Sequence, residues 1–219
     1  MSAKNSNDIS IGRLILSPAL ISLGITVIRL VGELQRWPSV LFKRDVGGLG
    51  SIIGIVWLAP IFGIYFAVKL CRAGAGPSSA MKDVGLAVVG LLLMAGGFFL
   101  FAGAVDLPGK KLIGLILVIG AFAAECIAWP KLFWTMIAYG YSARIPVLIV
   151  MFFAMQNSWG THYDAVQPNA PVDFWPKFLQ YAVVTQMIFW IIFTAVSGGI
   201  FGAVTAALSK GRRGVSQTA

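Results

Sequence analysis

Residues 84–105 read VGLAVVGLLLMAGGFFLFAGAV, a stretch without a single charged side chain. An α-helix rises about 1.5 Å per residue, so about 20 apolar residues cross the roughly 30 Å hydrocarbon core of a bilayer. Residues 47–68 and 178–209 form two further charge-free stretches of at least this length. Together the three stretches predict a chain that crosses a membrane several times.

The composition of the chain agrees with this prediction. Its 219 residues are 58% hydrophobic and only 11% charged, whereas about a quarter of the residues in a soluble domain are charged. The apolar stretches show no alternation with a period of two, so the strands of a transmembrane barrel are not predicted. In lipid the backbone polar groups of each span must then be satisfied within a helix. We therefore predict an all-α polytopic transmembrane bundle.

Basic residues outnumber acidic ones, 17 to 8, and the net charge is +9. They lie in short clusters beside the apolar stretches, with KR at residues 43–44, KK at 110–111 and KGRR at 210–213. This placement is typical of anchors for phospholipid headgroups. Membrane lipids are therefore the predicted partners. Nucleic acid is not, because no nucleic-acid-binding motif accompanies the charge.

The predicted organisation has three parts: a polar N-terminal tail at residues 1–12, a transmembrane helical region at 13–209 and a basic C-terminal tail at 210–219. The middle part holds about six spans, or five spans and one interfacial helix. The helix at residues 13–33 is the weakest span, because its charge-free part is only 15 residues long. It resembles a signal peptide in part, but no cleavage site of small residues follows, so it is expected to be retained. Arg29 and Glu33 stand four residues apart and can neutralise each other on one helical face.

The same pattern of apolar runs predicts further spans. A second span at residues 49–70 has Pro60 near its middle, where proline is expected to kink the helix. Residues 84–105 and 112–129 form the third and fourth spans, and the tight turn between them predicts antiparallel neighbours. The last helix is predicted at residues 178–208.

The segment between the fourth span and the last helix is ambiguous. WPKLF at residues 129–133 is expected to break or kink the fourth span. Residues 132–143 could form a membrane-boundary segment or the front of a long helix. A fifth span from about residue 143 to residue 159 would place Arg144 at the headgroups and Pro146 near a helix start.

The distribution of Lys and Arg gives a predicted orientation. The basic residues 210–213 favour a cytoplasmic C-terminus, and the nearly base-free loop at residues 157–176 favours a position outside. The size of the chain and its short loops are typical of a bacterial-type cytoplasmic membrane protein.

Glu125 is the sharpest candidate for a transport residue. A charged side chain at the centre of a bilayer costs about 2.5–3.5 kcal/mol on insertion scales, and such residues often mark ion or proton routes. The alternative is structural: Glu125 lies near the end of its helix and could reach the headgroups or pair with Lys131. Other polar side chains that could line a pathway are Gln186, Thr26, Thr185 and Thr194. Gln186 could instead hydrogen-bond to a neighbouring helix.

Residues 156–171, QNSWGTHYDAVQPNAP, hold the only histidine of the chain. His162 and Asp164 are candidate catalytic residues, since the imidazole could act as a general base. They could also bind a metal together, but two ligands do not make a zinc site, so no metal and no cofactor is predicted. The alternative is a solvent loop whose Trp159 and Tyr163 belong to the aromatic belt at the membrane surface.

Small residues spaced four apart indicate close packing of helices. Such pairs occur at Gly50 with Gly54 and at Gly198 with Gly202. The spacing suits packing within the chain, a homo-oligomer face, or contact with another membrane protein. Cys71 and Cys126 lie in or beside apolar runs and are expected as buried small side chains.

Three classes of function remain. The first is a non-enzymatic membrane component or complex subunit, favoured by the scarcity of polar residues within the spans. The second is a small transporter or channel that uses Glu125. The third is a membrane enzyme that uses His162 and Asp164. The single histidine leaves few candidate catalytic residues for this class.

Overall fold

The computed structural model of the protein describes residues 10–46, 53–103 and 106–215. Helices account for 76% of the structure, and no β-strand occurs in these ranges, so the predicted all-α class is confirmed. In chain order the helices are α1 (Ile11–Leu34), α2 (Leu58–Arg72), α3 (Ala80–Phe101), α4 (Lys110–Ala128), α5 (Pro130–Asn157), α6 (Phe174–Phe178), a π-helical segment (Leu179–Phe189) and α7 (Trp190–Val215).

Five helices in the described ranges are long and apolar enough to cross a membrane. They are α1, α3, α4, α5 and the continuous helix Phe174–Ser209, which joins α6, the π-helical segment and most of α7. The protein is therefore a multi-pass helical membrane protein. The helix α2 has only 15 residues, which corresponds to a length of about 22 Å.

The predicted second span at residues 49–70 was wrong about its start. The helix begins at Leu58, so Pro60 lies in its first turn rather than at a kink in its middle. Proline is tolerated there, because the N–H groups of the first turn have no partner within a helix. Gly54 is buried in a bend before the helix, and Gly50 lies outside the described residues.

The helix α5 is one continuous helix of 28 residues. Residues 132–143 are therefore the front of a long helix, and the predicted helix start near residue 143 was wrong. Arg144 and Pro146 lie in the middle of α5. The predicted break after the fourth span is confirmed, since Trp129 leaves helical geometry with a φ of −144° and α5 begins directly after it.

The π-helical segment Leu179–Phe189 is 11 residues long. At its end the N–H of Trp190 donates to the carbonyl oxygen of Thr185, five residues earlier. Such wide turns are rare in proteins and occur frequently at functional sites. The helix α7 then continues to Val215, through the basic residues 210–213.

The chain forms two compact units, and the first combines residues within 1–15, 59–138 and 192–219. In this unit α3 and α4 pack closely, with Gly97 against Gly114 and Gly90 against Ala121. The order of these contacts is antiparallel, as predicted. A core of buried apolar side chains joins α3 and α4 to α7: Met94, Val118, Ala121, Ile192 and Val196.

Glycines allow α2 and α7 to approach closely in the first unit. A Cβ atom at Gly63 of α2 would overlap the carbonyl oxygen of Gly198, and a Cβ atom at Gly202 of α7 would lie 3.2 Å from the carbonyl oxygen of Gly63. Gly198 and Gly202 therefore take part in packing within the chain.

The second unit combines residues 16–58 and 139–191. Its apolar core consists of buried side chains from α5, the following loop and the helix after it: Val147, Met151, Ala154, Met155, Tyr163, Phe178 and Ala182. The helix α1 contributes a face of buried polar side chains to this unit.

Candidate functional site

The helix α1 buries polar side chains and exposes apolar ones. Ser22, Thr26, Arg29 and Glu33 are all buried, at 0%, 2%, 8% and 2% exposure. At about 100° per residue these four positions fall within about 60° of the helix circumference. The opposite face carries exposed aliphatic side chains: Leu16, Leu20, Leu23, Val27, Val31 and Leu34. Polar residues in membrane helices that face the protein interior commonly mark ion or substrate routes.

Glu33 is the centre of a charged cluster in the second unit. Its carboxylate accepts from Arg29 Nε at 2.8 Å, as the spacing in the sequence predicted. It also accepts from the backbone N–H of His162 at 2.8 Å and contacts Nδ1 of the His162 ring at 2.7 Å. The three groups therefore form a chain of charge-assisted hydrogen bonds, which are stronger than hydrogen bonds between neutral groups.

Two tyrosines extend the polar cluster along α1. The hydroxyl of Tyr139 on α5 lies 2.9 Å from Ser22 Oγ, and Ser22 in turn donates to the carbonyl oxygen of Pro18. The hydroxyl of Tyr163 donates to the carbonyl oxygen of Thr26 at 3.3 Å. Burial raises the pKa of the Tyr163 phenol, so this donor keeps its proton at physiological pH.

Asp164 organises the turn that carries His162. Its carboxylate accepts hydrogen bonds from the N–H of Gly160 at 2.8 Å and from the N–H and hydroxyl of Thr161 at 2.7 and 2.6 Å. The partner of the His162 ring is Glu33, on α1. Tyr163 is 2% exposed, so its predicted place in a surface aromatic belt was wrong, while Trp159 is 37% exposed.

The orientation of His162 fixes what its ring can do. A carboxylate has only acceptors, so the close contact with Glu33 requires the ring proton on Nδ1 and leaves Nε2 as the acceptor of the neutral imidazole. Burial lowers the pKa of His162, while the hydrogen bond to Glu33 acts in the opposite direction. His162 is thus held in one orientation by Glu33, with its proton on Nδ1 and an acceptor at Nε2 in the neutral ring.

The stability of the protein is expected to fall as pH falls below about 6.5, the ordinary pKa of histidine. Because the folded pKa of His162 is lowered, the unfolded chain binds the proton more readily. The contribution is fully present above the unfolded pKa and is lost as pH decreases toward the folded pKa. Unfolding by sodium dodecyl sulfate in mixed micelles, at about pH 7.5 and about pH 5, measures the effect.

The control for this measurement is His162→Asn, whose side chain keeps a donor but does not titrate in this range. As His162 is the only histidine, the variant should lose less stability between the two pH values than the wild type. An equal loss in both proteins would contradict the assignment.

Glu125 occupies a separate site in the first unit. It is 4% exposed, and its carboxyl group lies between Gly90 on α3 and Gly199 on α7. A Cβ atom at Gly199 would overlap Glu125 Oε2, and one at Gly90 would lie 3.0 Å from Oε1. Oε1 is buried without a hydrogen-bond partner in the described ranges. Gly90 is the eleventh of the 22 residues of α3, so the carboxyl lies beside the middle of that helix.

Comparisons with protein-family models, with characterised proteins and with solved structures give no match to the chain. Among the described residues, no group of three His, Cys, Asp or Glu side chains could hold a metal ion.

The other polar residues that were candidates to line a pathway, Gln186, Thr185 and Thr194, make separate contacts. Gln186 accepts a hydrogen bond from Arg144 of α5 at 3.2 Å, so the predicted contact with a neighbouring helix is confirmed. Thr194 is buried in α7, and the Thr185 hydroxyl donates to the carbonyl oxygen of Gln180. Cys71 and Cys126 are not joined by a disulfide, and both are half-buried rather than fully buried as predicted.

Sequence reasoning missed the link between Glu33 and His162, which are 129 residues apart. It also missed the burial of Arg144, which is 5% exposed. The polar stripe of α1 left a signal in the sequence, since residues 22, 26, 29 and 33 follow the spacing of one helical face.

Proposed function

We propose that the protein is a non-enzymatic membrane transporter that moves protons, alone or with a solute, and that Glu125 binds and releases the proton. The observation that carries the proposal is the buried Glu125 carboxyl, whose Oε1 atom has no hydrogen-bond partner in the described part of the chain. A buried carboxylate without compensation is costly, and protonation removes its charge. A carboxyl group in such a place is suited to exchange a proton.

The two glycines beside Glu125 support this role. A side chain at Gly199 would overlap the Glu125 carboxyl and one at Gly90 would lie in tight contact with it, so the two glycines make the room in which the carboxyl lies. This allows a carboxyl group to be buried between α3 and α7. The depth of the site, beside the middle of α3, agrees with a position away from both helix ends.

A passive membrane component or complex subunit is the alternative. That class was favoured by a scarcity of polar groups in the spans, yet the described residues bury many of them: Ser22, Thr26, Arg29, Glu33, Asp83, Glu125, Thr135, Arg144, Gln186 and Thr194. Burying a polar group without a partner costs free energy. A purely structural role gives no reason to keep Glu125 in this state.

The proposed location is a bacterial-type cytoplasmic membrane, with the C-terminus in the cytoplasm and the loop after α5 outside. The basic residues 210–213 and the nearly base-free loop support this orientation. Val172 in that loop is 93% exposed. A cysteine at this position should react with a membrane-impermeant thiol reagent in intact cells, and protection until permeabilisation would reverse the orientation.

Glu125→Gln is expected to reduce proton flux at least about tenfold, equivalent to about 1.4 kcal/mol, because the amide has the same shape but cannot exchange a proton. The measurement is the decay of an imposed pH gradient in liposomes containing the purified protein and a pH-sensitive dye. Infrared spectroscopy should show a protonated carboxyl band in the wild type that Glu125→Gln lacks.

The matched control is Asp83→Asn, which also neutralises a buried carboxyl of the first unit. Asp83 lies in the first turn of α3, where the helix dipole stabilises its charge, so flux should stay at the wild-type level. Gly199→Ala should reduce flux, since its Cβ displaces the Glu125 carboxyl. Undiminished flux in folded Glu125→Gln would remove the proposal.

A further inference from the structure

Arg144 is a buried cation far from both ends of its helix. It follows the first residue of α5 by 14 positions and precedes the last by 13, which places it about 20 Å from either end. Its exposure is 5%. Arginine usually reaches the headgroups when it is near a helix end, so a guanidinium held inside the second unit requires another explanation.

The contacts of the Arg144 guanidinium compensate it only in part. Its Nη1 donates to Gln186 Oε1 at 3.2 Å, and its Cζ lies 4.5 Å from the centre of the Trp190 ring. Neither contact supplies a negative charge. The ion pairs of Glu33 with Arg29 and His162, of Lys43 with Asp45 and of Lys110 with Asp106 do not involve Arg144, and no carboxylate pairs with Arg144 among the described residues.

The surroundings of Arg144 are rich in donors. A guanidinium has five N–H donors, and in the described ranges one of them is used, by Gln186. Since the side-chain oxygen of Gln186 accepts this bond, its amide nitrogen adds two further donors. Gln186 belongs to the π-helical segment, and Trp190 follows that segment directly. The unusual helix geometry and the partly compensated cation thus occur at the same place.

This chemistry favours a small anion. Arginine stays protonated in proteins, and leaving a buried charge unpaired costs about 3–5 kcal/mol. A monoanion would cancel the charge, whereas a dianion would replace it with a net negative one. The planar fork of the guanidinium matches the two oxygens of a carboxylate. The guanidinium lies over the face of Trp190, which holds the fork in place but supplies no negative charge.

We propose that Arg144 and Gln186, with Trp190 beside them, bind a small monocarboxylate. The idea that this carboxylate is transported together with the proton rests on the proposed transport function. Its binding to the protein does not, because Arg144 and Gln186 belong to the second unit and Glu125 to the first.

Acetate is the probe for the test. Thermal unfolding of the purified wild-type protein in detergent should shift to higher temperature in sodium acetate than in sodium chloride at equal concentration, because a ligand that binds the folded state stabilises it. Arg144→Gln should lose this excess shift. Arg144→Lys keeps the charge but not the fork, so acetate affinity should fall at least about tenfold.

The matched control is Arg72→Gln, which removes one positive charge from an exposed position at the end of α2 and should keep the full excess shift. Equal shifts with acetate and chloride in the wild type would overturn the carboxylate assignment. An excess shift that persists in Arg144→Lys, or in a folded Arg144→Gln, would place the binding elsewhere and overturn the site.

Glu125→Gln separates this inference from the proposed function. The variant should keep the acetate-dependent shift while its proton flux is lost. Wild-type liposomes without proton flux, together with a normal acetate shift, would remove the transport proposal and leave the anion site standing. Normal flux without an acetate shift would do the reverse.

Discussion

Replacing Glu33 with alanine is expected to destabilise the protein by about 3–5 kcal/mol, the usual cost of removing one partner from a buried ion pair. The Glu33 side chain is fully buried and accepts from Arg29 and from two nitrogens of His162. Its removal takes away the carboxylate 2.8 Å from Arg29 Nε and the acceptor of two nitrogens of His162. Unfolding by sodium dodecyl sulfate in mixed micelles measures the change.

The chain provides a matched control for this substitution. Lys43 and Asp45 form an ion pair at 3.3 Å whose side chains are 46% and 73% exposed. Asp45→Ala should therefore cost less than about 1 kcal/mol. A double variant with leucine at Arg29 and at Glu33 should be more stable than Glu33→Ala, because both buried charges are gone. Equal stability of Glu33→Ala and the wild type would contradict the role of this cluster.

Gly63→Ala is expected to cost about 3 kcal/mol or more, at or above the upper end of the range for overpacked cores. The added Cβ would overlap the carbonyl oxygen of Gly198 and lie 2.6 Å from its Cα atom. These are backbone atoms, which cannot rotate out of the way. α2 and α7 would have to move apart, which weakens the packing of the first unit. The same unfolding experiment measures the loss.

Gly85→Ala is the control for this substitution. Gly85 lies within α3, and a Cβ atom there would meet nothing within 4 Å. Alanine favours a helix interior over glycine by about 0.5–1 kcal/mol, so the variant should be at least as stable as the wild type. If both substitutions had the same effect, close contact between α2 and α7 would not be the cause.

The accuracy of the sequence prediction depended on how each helix begins and ends. Residues 84–105 matched α3 within a few positions, because an uninterrupted apolar run between polar loops leaves little choice. Residues 47–68 are equally apolar, but glycines are frequent before Leu58 and Pro60 suits a first helical turn. Hydropathy alone could not find this start. Near Arg144 the prediction placed a helix start where none exists, because a charge and a proline suggested a boundary inside the continuous α5.

The sequence predicted some features of the candidate sites and missed others. The pairing of Arg29 with Glu33 followed from helical spacing, and Glu125 was recognisable as an acidic residue within an apolar run. The contact between Glu33 and His162 depends on how residues 129 positions apart meet. The sequence suggested that the Asp164 carboxylate acts together with His162, but this carboxylate accepts hydrogen bonds from Gly160 and Thr161. Local pattern predicts neither arrangement, because both result from tertiary packing.

The inward polar stripe of α1 has a consequence for biogenesis. Its partners Tyr139, His162 and Tyr163 lie 117, 129 and 137 residues later in the chain. At a synthesis rate of about 5–20 residues per second, these partners are synthesised roughly 6–27 s after the residues of α1 that they contact. During this interval the polar face of α1 lacks these partners and must stay out of the hydrocarbon core, either at the insertion machinery or at the membrane–water interface. Nascent chains stopped before residue 139 should therefore crosslink to that machinery through α1, and full-length chains should not.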